Sequence, residues 1–361
     1  MSRLKVWCAA ACLAFAAGSS GIHASGGNQR TLVVTMTNDP TANEIRVYDA
    51  DSHVLVQTLS THGQGGVGGN ARGIKQHEGR LIAVVNNGSN SVAIFRRDGD
   101  LLKFDTIVTT TSAPVSVDFG NEHLYVAGAT TVDSFDLHQR SVAGLDGTTD
   151  LALASGGIPP AGSTAQVGVI SDEQLLVTLK ADPDPGTVDL IALDHGRIAG
   201  SAATAVSAPD GTLTPFGFAT DADGTALITL AHSNHDGLFR DGSFASVIAA
   251  GQAASCWMTR VGKYVFVANT GSQSISRLVG TGNNVFVDSL VAAQIPTGAP
   301  ADLDADAGVL GVIDHGAGQS HLSVFSYNQF GELSPAGTII TIGVPDANGI
   351  AILSPRADER N

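Results

Sequence analysis

The stretch Gly262–Leu278 reads GKYVFVANTGSQSISRL. Its first part, Tyr264–Ala268, is an apolar run rich in β-branched residues, and Asn269–Gln273 is a polar turn. Alternation of apolar and polar residues resumes at Ser274, which is the pattern of a second strand. The stretch therefore predicts a β-hairpin, and it is the clearest copy of a unit that recurs along the chain.

Two series of short apolar runs repeat through the sequence, at spacings of about forty to fifty residues, a period typical of propeller blades. The first series is Thr31–Thr37, Leu81–Asn87, Leu124–Ala129, Leu175–Ala181, Ala226–His232, Tyr264–Thr270 and Val309–His315. The second series, with small or aromatic residues after a turn, is Ala71–His77, Pro114–Gly120, Ala165–Ser171, Pro215–Asp221, Ser255–Val261, Pro300–Asp306 and Asn348–Leu353. We interpret the second series as innermost strands and the first as second strands, which predicts an all-β, seven-bladed β-propeller of four-stranded antiparallel blades.

The order of strands at the two ends predicts how the ring closes. The repeats begin with a second strand at Thr31 and finish with an innermost strand at Asn348–Leu353. We therefore expect the C-terminal strand to complete the N-terminal blade and to leave no free edge. The fifth unit is the poorest copy, because Asn234, His235 and Asp236 interrupt its outer strands.

The first residues have the features of an export signal. Arg3 and Lys5 precede the apolar run Val6–Ala17, which is too short to span a bilayer, and Ala24 offers a small residue for cleavage. We predict a signal peptide at residues 1–24, a single propeller domain at residues 25–361, and a periplasmic or secreted location.

Charge and cysteine content restrict the possible partners and bonds. The formal net charge is -15, which disfavours binding to nucleic acid or to anionic membrane surfaces. Cys8 and Cys12 fall within the predicted signal, so Cys256 is the single cysteine of the expected mature chain, and an intrachain disulfide is excluded. We expect a monomer without cofactor and without membrane insertion after signal removal.

Three segments carry a resemblance to a known family: VANTGSQSISRL in the sixth unit, VVNNGSNSVAIFR at Val84–Arg96 and HLSVFSYNQFGELSPAG at His321–Gly337. The chain resembles the lactonase-type seven-bladed β-propellers, which include 6-phosphogluconolactonase and carboxymuconate-cyclase-like proteins and are related to YVTN-repeat proteins. The resemblance covers Arg30–Pro355. It implies the propeller fold, and for the lactone-acting members it implies a histidine near the start of the fourth inner strand and an acidic residue closing the next strand. Here those segments read Gly162–Val167 (GSTAQV) and Thr178–Lys180 (TLK), and neither residue is present.

Mapping the units onto a propeller gathers a polar rim where inner strands begin and where second strands turn into third strands. The candidate catalytic residues are Arg72, His232, His235 and His315. The candidate ligand-binding residues are Asn38, Asn86, Gln166, Lys180, Trp257, Asn269, Asp314 and Asn348. The alternatives are that Asn86 and Asn269 hold their turns and that the histidines are solvated loop residues.

No paired-cysteine or histidine motif predicts a metal site. Asp302, Asp304 and Asp306 alternate, which on a strand places the three carboxylates on one face. Such a face suits calcium, and it equally suits a polar inner strand that runs into an acidic turn.

Two functions from different classes remain. The first is an exported propeller that binds a small polar ligand or a protein partner at its central funnel, on a lactonase-like scaffold without the usual catalytic residues. The alternative is a lactonase- or cyclase-type enzyme, acting on a sugar lactone or a carboxymuconate-like substrate through the four candidate catalytic residues.

Overall fold

A computed structural model describes residues 29–138, 141–180, 185–200, 202–281 and 284–355. Seven antiparallel sheets succeed one another along the chain as the blades of a β-propeller, as the sequence predicted. The predicted signal peptide lies outside the described residues. Within the described part of the chain, no helix is long and apolar enough to cross a membrane.

The strands are numbered here in chain order. The first fifteen are β1 (Leu32–Met36), β2 (Glu44–Asp49), β3 (Leu55–Ser60), β4 (Ile74–His77), β5 (Leu81–Asn86), β6 (Ser91–Asp98), β7 (Leu101–Thr109), β8 (Pro114–Gly120), β9 (His123–Gly128), β10 (Thr131–His138), β11 (Ser141–Asp150), β12 (Thr164–Ser171), β13 (Gln174–Leu179), β14 (Thr187–Asp194) and β15 (Arg197–Ile198). The others are β16 (Thr204–Ser207), β17 (Pro215–Thr220), β18 (Ala226–Leu230), β19 (His235–Arg240), β20 (Ser243–Ala249), β21 (Ser255–Val261), β22 (Tyr264–Asn269), β23 (Ser274–Thr281), β24 (Asn284–Gln294), β25 (Ala299–Asp306), β26 (Val309–Gly316), β27 (Gln319–Tyr327), β28 (Leu333–Pro335), β29 (Ile340–Thr341) and β30 (Asn348–Leu353).

From the axis outward, blade 1 is β30-β1-β2-β3, blade 2 is β4 to β7, and blade 3 is β8 to β11. Blades 5 and 6 are β17 to β20 and β21 to β24. In blades 4 and 7 two short strands share the outermost position, β15 with β16 and β28 with β29. Two 3-10 turns, Asn87–Ser89 and Ala231–Ser233, join second to third strands and end on left-handed Asn90 and Asn234.

The ring closes as predicted. The strand β30 pairs antiparallel with β1, with Leu353 opposite Leu32 and Ile352 opposite Val33. All four of these side chains are fully buried. Burial of apolar side chains and a hydrogen-bond ladder therefore tie the two ends of the propeller together without a disulfide.

The second strands form the centre of each blade. Every residue of β5 (LIAVVN) is buried, as is every residue of β9. A strand that is covered on both faces needs a continuous apolar run rather than alternation, which explains why these runs dominate the sequence pattern.

Polar side chains of the inner strands bind the free backbone edge of the next blade. Asp118 Oδ2 accepts from the Val169 amide at 3.0 Å, and Ser116 Oγ accepts from the Val167 amide at 3.1 Å. Because the innermost strand has a neighbour on one side only, its other backbone edge needs such partners. The crowded axis is therefore filled by polar side chains with defined roles as well as by small residues.

Two details of the sequence interpretation were wrong. Blade 5 is a regular blade, because Asn234 ends the turn and His235 and Asp236 begin the third strand β19. The inner strand of blade 2 begins at Ile74 rather than at Ala71, after the left-handed residue Arg72 (φ 56°).

Candidate functional site

The inner strands all begin on one side of the ring, called here the top face. Six blades carry a register shift, a β-bulge, where the innermost strand begins to pair with the second strand. A bulge re-aims the side chains that follow it. The top ends of the inner strands consequently present side chains toward the axis rather than only toward neighbouring blades.

In blades 2 and 6 the second strand ends on a buried asparagine. Asn86 Oδ1 accepts from Thr61 Oγ1 at 2.7 Å, and Asn269 Nδ2 donates to Ser276 Oγ at 3.2 Å. Both asparagines are 0% exposed. Asn269 bonds Ser274 and Ser276 across the turn that follows it, whereas Asn86 links its blade to Asn43 and Thr61 of blade 1.

Blades 4 and 5 have leucine at the same position. Leu179 pairs with Thr164 and Leu230 pairs with Pro215, just as Asn269 pairs with Ser255. A leucine side chain cannot hydrogen-bond to the turn that follows it, and the next residues, Lys180 and Ala231, line a pocket. The asparagine of blades 2 and 6 is therefore absent from the second strands of blades 4 and 5.

The pocket has a volume of ≈ 500 Å³ and lies over the inner strands of blades 4, 5 and 6. We call it the Lys180 pocket. It is lined by Gly69, Pro160, Ala161, Gly162, Ser163, Lys180, Thr214, Phe216, Ala231, His232 and Cys256. Its volume falls in the range of small-molecule sites, and its wall is mostly apolar with a few polar groups.

Lys180 is the basic side chain of the pocket wall. Its Nζ donates to Gly69 O and to Thr164 O, the second at 3.3 Å, and it lies 5.6 Å from the centre of the Phe216 ring. Burial lowers the pKa of Lys180 to about 8. Within the described part of the chain no carboxylate pairs with it, so the amine is held by neutral groups.

The glycine-rich loop of blade 1 supplies part of this support. Asn38 Oδ1 accepts from the amides of Gly66 and Val67 at 2.9 and 3.0 Å, and its Nδ2 donates to Val67 O at 2.8 Å. Asn38 thus fixes the loop whose Gly69 carbonyl accepts from Lys180. Its amide is used inside the fold rather than presented to the pocket.

Two other lining residues have reactive side chains. His232 lies in the 3-10 turn after β18 and belongs to the wall of the pocket. Cys256 lies in β21, and burial raises the pKa of its thiol to about 11. The thiol is therefore protonated at neutral pH, which excludes it as a thiolate nucleophile.

Two candidate residues, Gln166 and Arg72, both contact Phe218 of the inner strand of blade 5. Gln166 binds the backbone of Phe218 twice, by accepting at 2.9 Å and donating at 2.8 Å. Arg72 contacts the same residue, with its guanidinium 5.7 Å from the ring centre and 3.7 Å from Asp118 Oδ2. Gln166 thus links the inner strands of the neighbouring blades 4 and 5, and Arg72 links blade 2 to blade 5.

Trp257 and Asn348 both hydrogen-bond to Asn70, which precedes the inner strand of blade 2. Trp257 Nε1 donates to Asn70 O at 2.8 Å, and its ring meets Phe216 edge to face with centres 5.3 Å apart. Asn348 Nδ2 donates to Asn70 Oδ1 at 2.6 Å. Trp257 therefore supports Phe216 of the pocket wall, and neither Trp257 nor Asn348 belongs to the lining.

The candidates of blade 7 are engaged with one another and with backbone. Asp314 is 0% exposed, accepts from Thr297 Oγ1 at 2.8 Å and lies 3.2 Å from His321 Nδ1. Burial raises the pKa of Asp314, and the bonds to Thr297 and His321 oppose that shift. His315 Nε2 donates to Ala347 O at 2.8 Å.

His235 lies next to an unusual buried carboxyl. Its Nδ1 is buried without a partner, and neither side-chain oxygen of Asp236 has a hydrogen bond. Burial raises the pKa of Asp236 to about 7, although the neighbouring Ser255 favours the charged form. This cluster sits between blades 5 and 6, behind the wall of the pocket.

The three alternating aspartates of β25 face the closing strand β30. The Ile352 amide donates to Asp304 Oδ2 at 2.9 Å, and Ser354 Oγ donates to Asp306 Oδ2 at 2.5 Å. Burial raises the pKa of Asp302 well above its ordinary value, and one of its oxygens has no partner. Among the residues described, no group of three or more metal-ligating side chains is arranged to hold an ion.

The four candidate catalytic residues do not share the pocket. His232 belongs to its lining, whereas Arg72, His235 and His315 do not. Of the eight candidate ligand-binding residues, Lys180 belongs to the lining. The sequence interpretation missed Phe216 and the loop residues Pro160 to Ser163, for which the glycine and proline content of the long connection before β12 was the available signal.

Comparison with solved structures agrees with the resemblance seen in the sequence. A protein from Bacteroides fragilis suggested to be a 6-phosphogluconolactonase has a TM-score of 0.64 at 13% identity, over 92% of this chain and 99% of that one. A periplasmic gluconolactonase from Pseudomonas aeruginosa has a TM-score of 0.66 at 16% identity, over 91% of this chain and 100% of that one.

A catalytically inactive virginiamycin B lyase from Staphylococcus aureus, solved with quinupristin, has a TM-score of 0.54 at 16% identity, over 79% of this chain and 92% of that one. A scan with family models gave no match. A search of the curated proteins gave none either. At such identities the likeness is one of fold, and the same ring serves different chemistries.

Proposed function

We propose that this protein is an exported β-propeller that binds a small polar molecule in the Lys180 pocket. The observation that carries the proposal is Lys180 itself, an amine in a largely apolar wall whose described contacts are two backbone carbonyls and an aromatic ring. Holding an ammonium there costs solvation, which an incoming ligand can restore. An exported location is supported by the N-terminal residues and by the periplasmic origin of one protein of similar fold.

The surrounding geometry suits binding of a small ligand. Ser163, Thr214 and His232 add polar groups to the rim, while Phe216 and Ala231 supply apolar surface. A few polar groups on an apolar wall fix the orientation of a ligand and leave the remaining contact to burial.

The test is a thermal-shift and calorimetric screen of the purified protein against small polar molecules. Ala161→Trp is the blocking variant, because Ala161 is exposed on the rim and a large ring there would fill the pocket without disturbing the core. Lys103→Met, on the far outer strand β7, is the control for loss of a lysine. Binding that survives unchanged in Ala161→Trp would contradict the proposal.

Lactone hydrolysis is the second candidate. It is favoured by the two solved structures of similar fold that are named for lactone substrates, and by the presence of Lys180 and His232 in one pocket. A neutral amine with a pKa of about 8 could accept a proton from an attacking water. Titration at constant pH with a panel of lactones tests it, and turnover that is lost in both Lys180→Met and His232→Ala would replace the binding proposal by this one.

A further inference from the structure

Lys180 has a hydrogen-bond arrangement that depends on its protonation. An ammonium has three N–H donors, whereas a neutral amine has two. Two backbone carbonyls, Gly69 O and Thr164 O, already accept from Nζ. A third donor, free for a ligand, therefore exists only when Lys180 carries its proton.

The surroundings of the amine favour its neutral form. Phe216 and Ala231 face the pocket, and burial alone lowers the pKa of Lys180 to about 8. The other titratable groups among the described lining residues are His232 and Cys256. A ligand that brings a negative charge would reverse this balance, because an opposite charge at close range favours the ammonium.

The number of cations limits the charge that the ligand can carry. Lys180 is the single lysine or arginine among the lining residues that the structure describes. Arg72 is already directed at Asp118 and Phe218. A phosphate monoester carries close to two charges and is usually met by several donors or an arginine fork, whereas a carboxylate needs one.

We propose that the ligand of the Lys180 pocket is a small monocarboxylate rather than a phosphorylated molecule, and that Lys180 takes up a proton when the ligand binds. This inference rests on the proposed function, since it names the chemical class of the molecule bound at that site. The carboxylate accepts from the third Nζ hydrogen while the two carbonyls keep the others in place.

The coupling between ligand binding and protonation of Lys180 can be calculated. At pH 8 about half of the free protein has an unprotonated Lys180, so binding takes up about 0.5 proton per site. Between pH 7 and pH 9.5 the affinity for the carboxylate falls about 30-fold, because about 3% of the free amine is still protonated at the higher pH. The affinity for a neutral ligand stays constant over that range.

The experiment is isothermal titration calorimetry at pH 8 in two buffers of different ionisation enthalpy. The probes are lactate, glycerate and gluconate, with sorbitol as the neutral polyol and glucose 6-phosphate as the phosphorylated sugar. The expected result is binding of at least one carboxylate with proton uptake, and weaker binding of sorbitol and glucose 6-phosphate.

Three variants test whether Lys180 is the group that takes up the proton. Lys180→Met should lose carboxylate binding, and Lys180→Arg should keep it while losing both the proton uptake and the pH dependence, because a guanidinium stays charged throughout. In His232→Asn the affinity can change, because His232 lines the pocket, but the number of protons taken up per bound carboxylate should stay the same, which excludes a contribution from the imidazole. Circular dichroism melts of each variant check that the fold is intact.

The outcomes separate this inference from the proposed function. If sorbitol or glucose 6-phosphate binds better than every carboxylate, and Ala161→Trp abolishes that binding, the proposed function stands and the monocarboxylate inference is overturned. Carboxylate binding without proton uptake also overturns it. If no probe binds, the inference fails for these carboxylates, and a wider screen that is insensitive to Ala161→Trp would remove the proposed function as well.

Discussion

Replacement of Asp236 by asparagine should change how the stability of this propeller depends on pH. The side chain is 1% exposed, no ion pair to it is found among the described residues, and burial raises its pKa from 3.8 to about 7 against the opposing effect of Ser255. The folded protein therefore holds this proton more tightly than the unfolded chain. The free energy of unfolding falls as the pH rises from about 4 to about 7, where the folded state must accept a buried charge.

The size of the effect follows from the shift. One pKa unit corresponds to about 1.4 kcal/mol, so a rise of about three units destabilises the protein by about 4 kcal/mol at pH 8 relative to pH 4. Asp236→Asn has nearly the shape of the protonated acid and carries no charge at either pH. Between pH 4 and pH 8 we expect the free energy of unfolding of the variant to rise by about 4 kcal/mol relative to that of the parent.

Urea unfolding at several pH values measures this difference. The fluorescence of Trp257, which is 9% exposed in the folded protein, follows the transition. Other buried acids, such as Asp302, act equally in both proteins and cancel in the comparison. Asp172→Asn, at an exposed position, is the control and should follow the parent. Parallel pH profiles for the parent and Asp236→Asn would refute the assignment of a buried, unpaired carboxyl.

The remaining predictions concern the ring and its axis. A chain that ends at Ala347 lacks β30 and so loses the burial of Ile350, Ile352 and Leu353, which contributes about 2 kcal/mol for each side chain. We therefore expect circular dichroism to show this chain unfolded, whereas a chain that ends at Pro355 should melt like the parent. Similar melts for the two truncated chains would contradict closure of the ring by β30. Gly217→Ala should lose about 1–3 kcal/mol in urea unfolding, because the new Cβ would lie 2.3 Å from Cys256 O, whereas Gly144→Ala meets no atom within 4 Å and is its control. Trp257→Phe should lose about 1–3 kcal/mol, because the Asn70 carbonyl loses its donor; an unchanged stability would mean that this bond contributes nothing to the axis.

Much of the fold was predictable because the propeller repeats a local pattern. Each blade needs a central strand that is covered on both faces, and every repeat therefore contains an apolar run such as Tyr264–Ala268. The seam could be predicted for the same reason, since Asn348–Leu353 has the pattern of an inner strand without a blade of its own. Blade 5 was misjudged because polar residues such as Asp236 can begin a strand when neighbouring blades bury them.

The site was less predictable, because it depends on contacts between distant parts of the chain. Asn86 and Asn269 looked like rim residues, yet Asn86 bonds to Thr61 at the end of blade 1 and Asn269 bonds within its own blade. Lys180 could be named as a candidate ligand-binding residue because it follows a second strand of the repeat, where the chain turns into the third strand. Its surroundings could not be foreseen, since Gly69 and Phe216 reach it from loops and strands far along the chain.

The sequence by itself therefore determined the number of blades, the role of each strand and the closing strand, because these follow from hydrophobic periodicity and turn residues that are local in the chain. The tertiary structure decided which polar residues fill the axis and which reach a ligand. That choice depends on the bulges that re-aim the inner strands and on backbone groups of other blades, which bind Gln166 and Arg72 and leave Lys180 beside an open pocket.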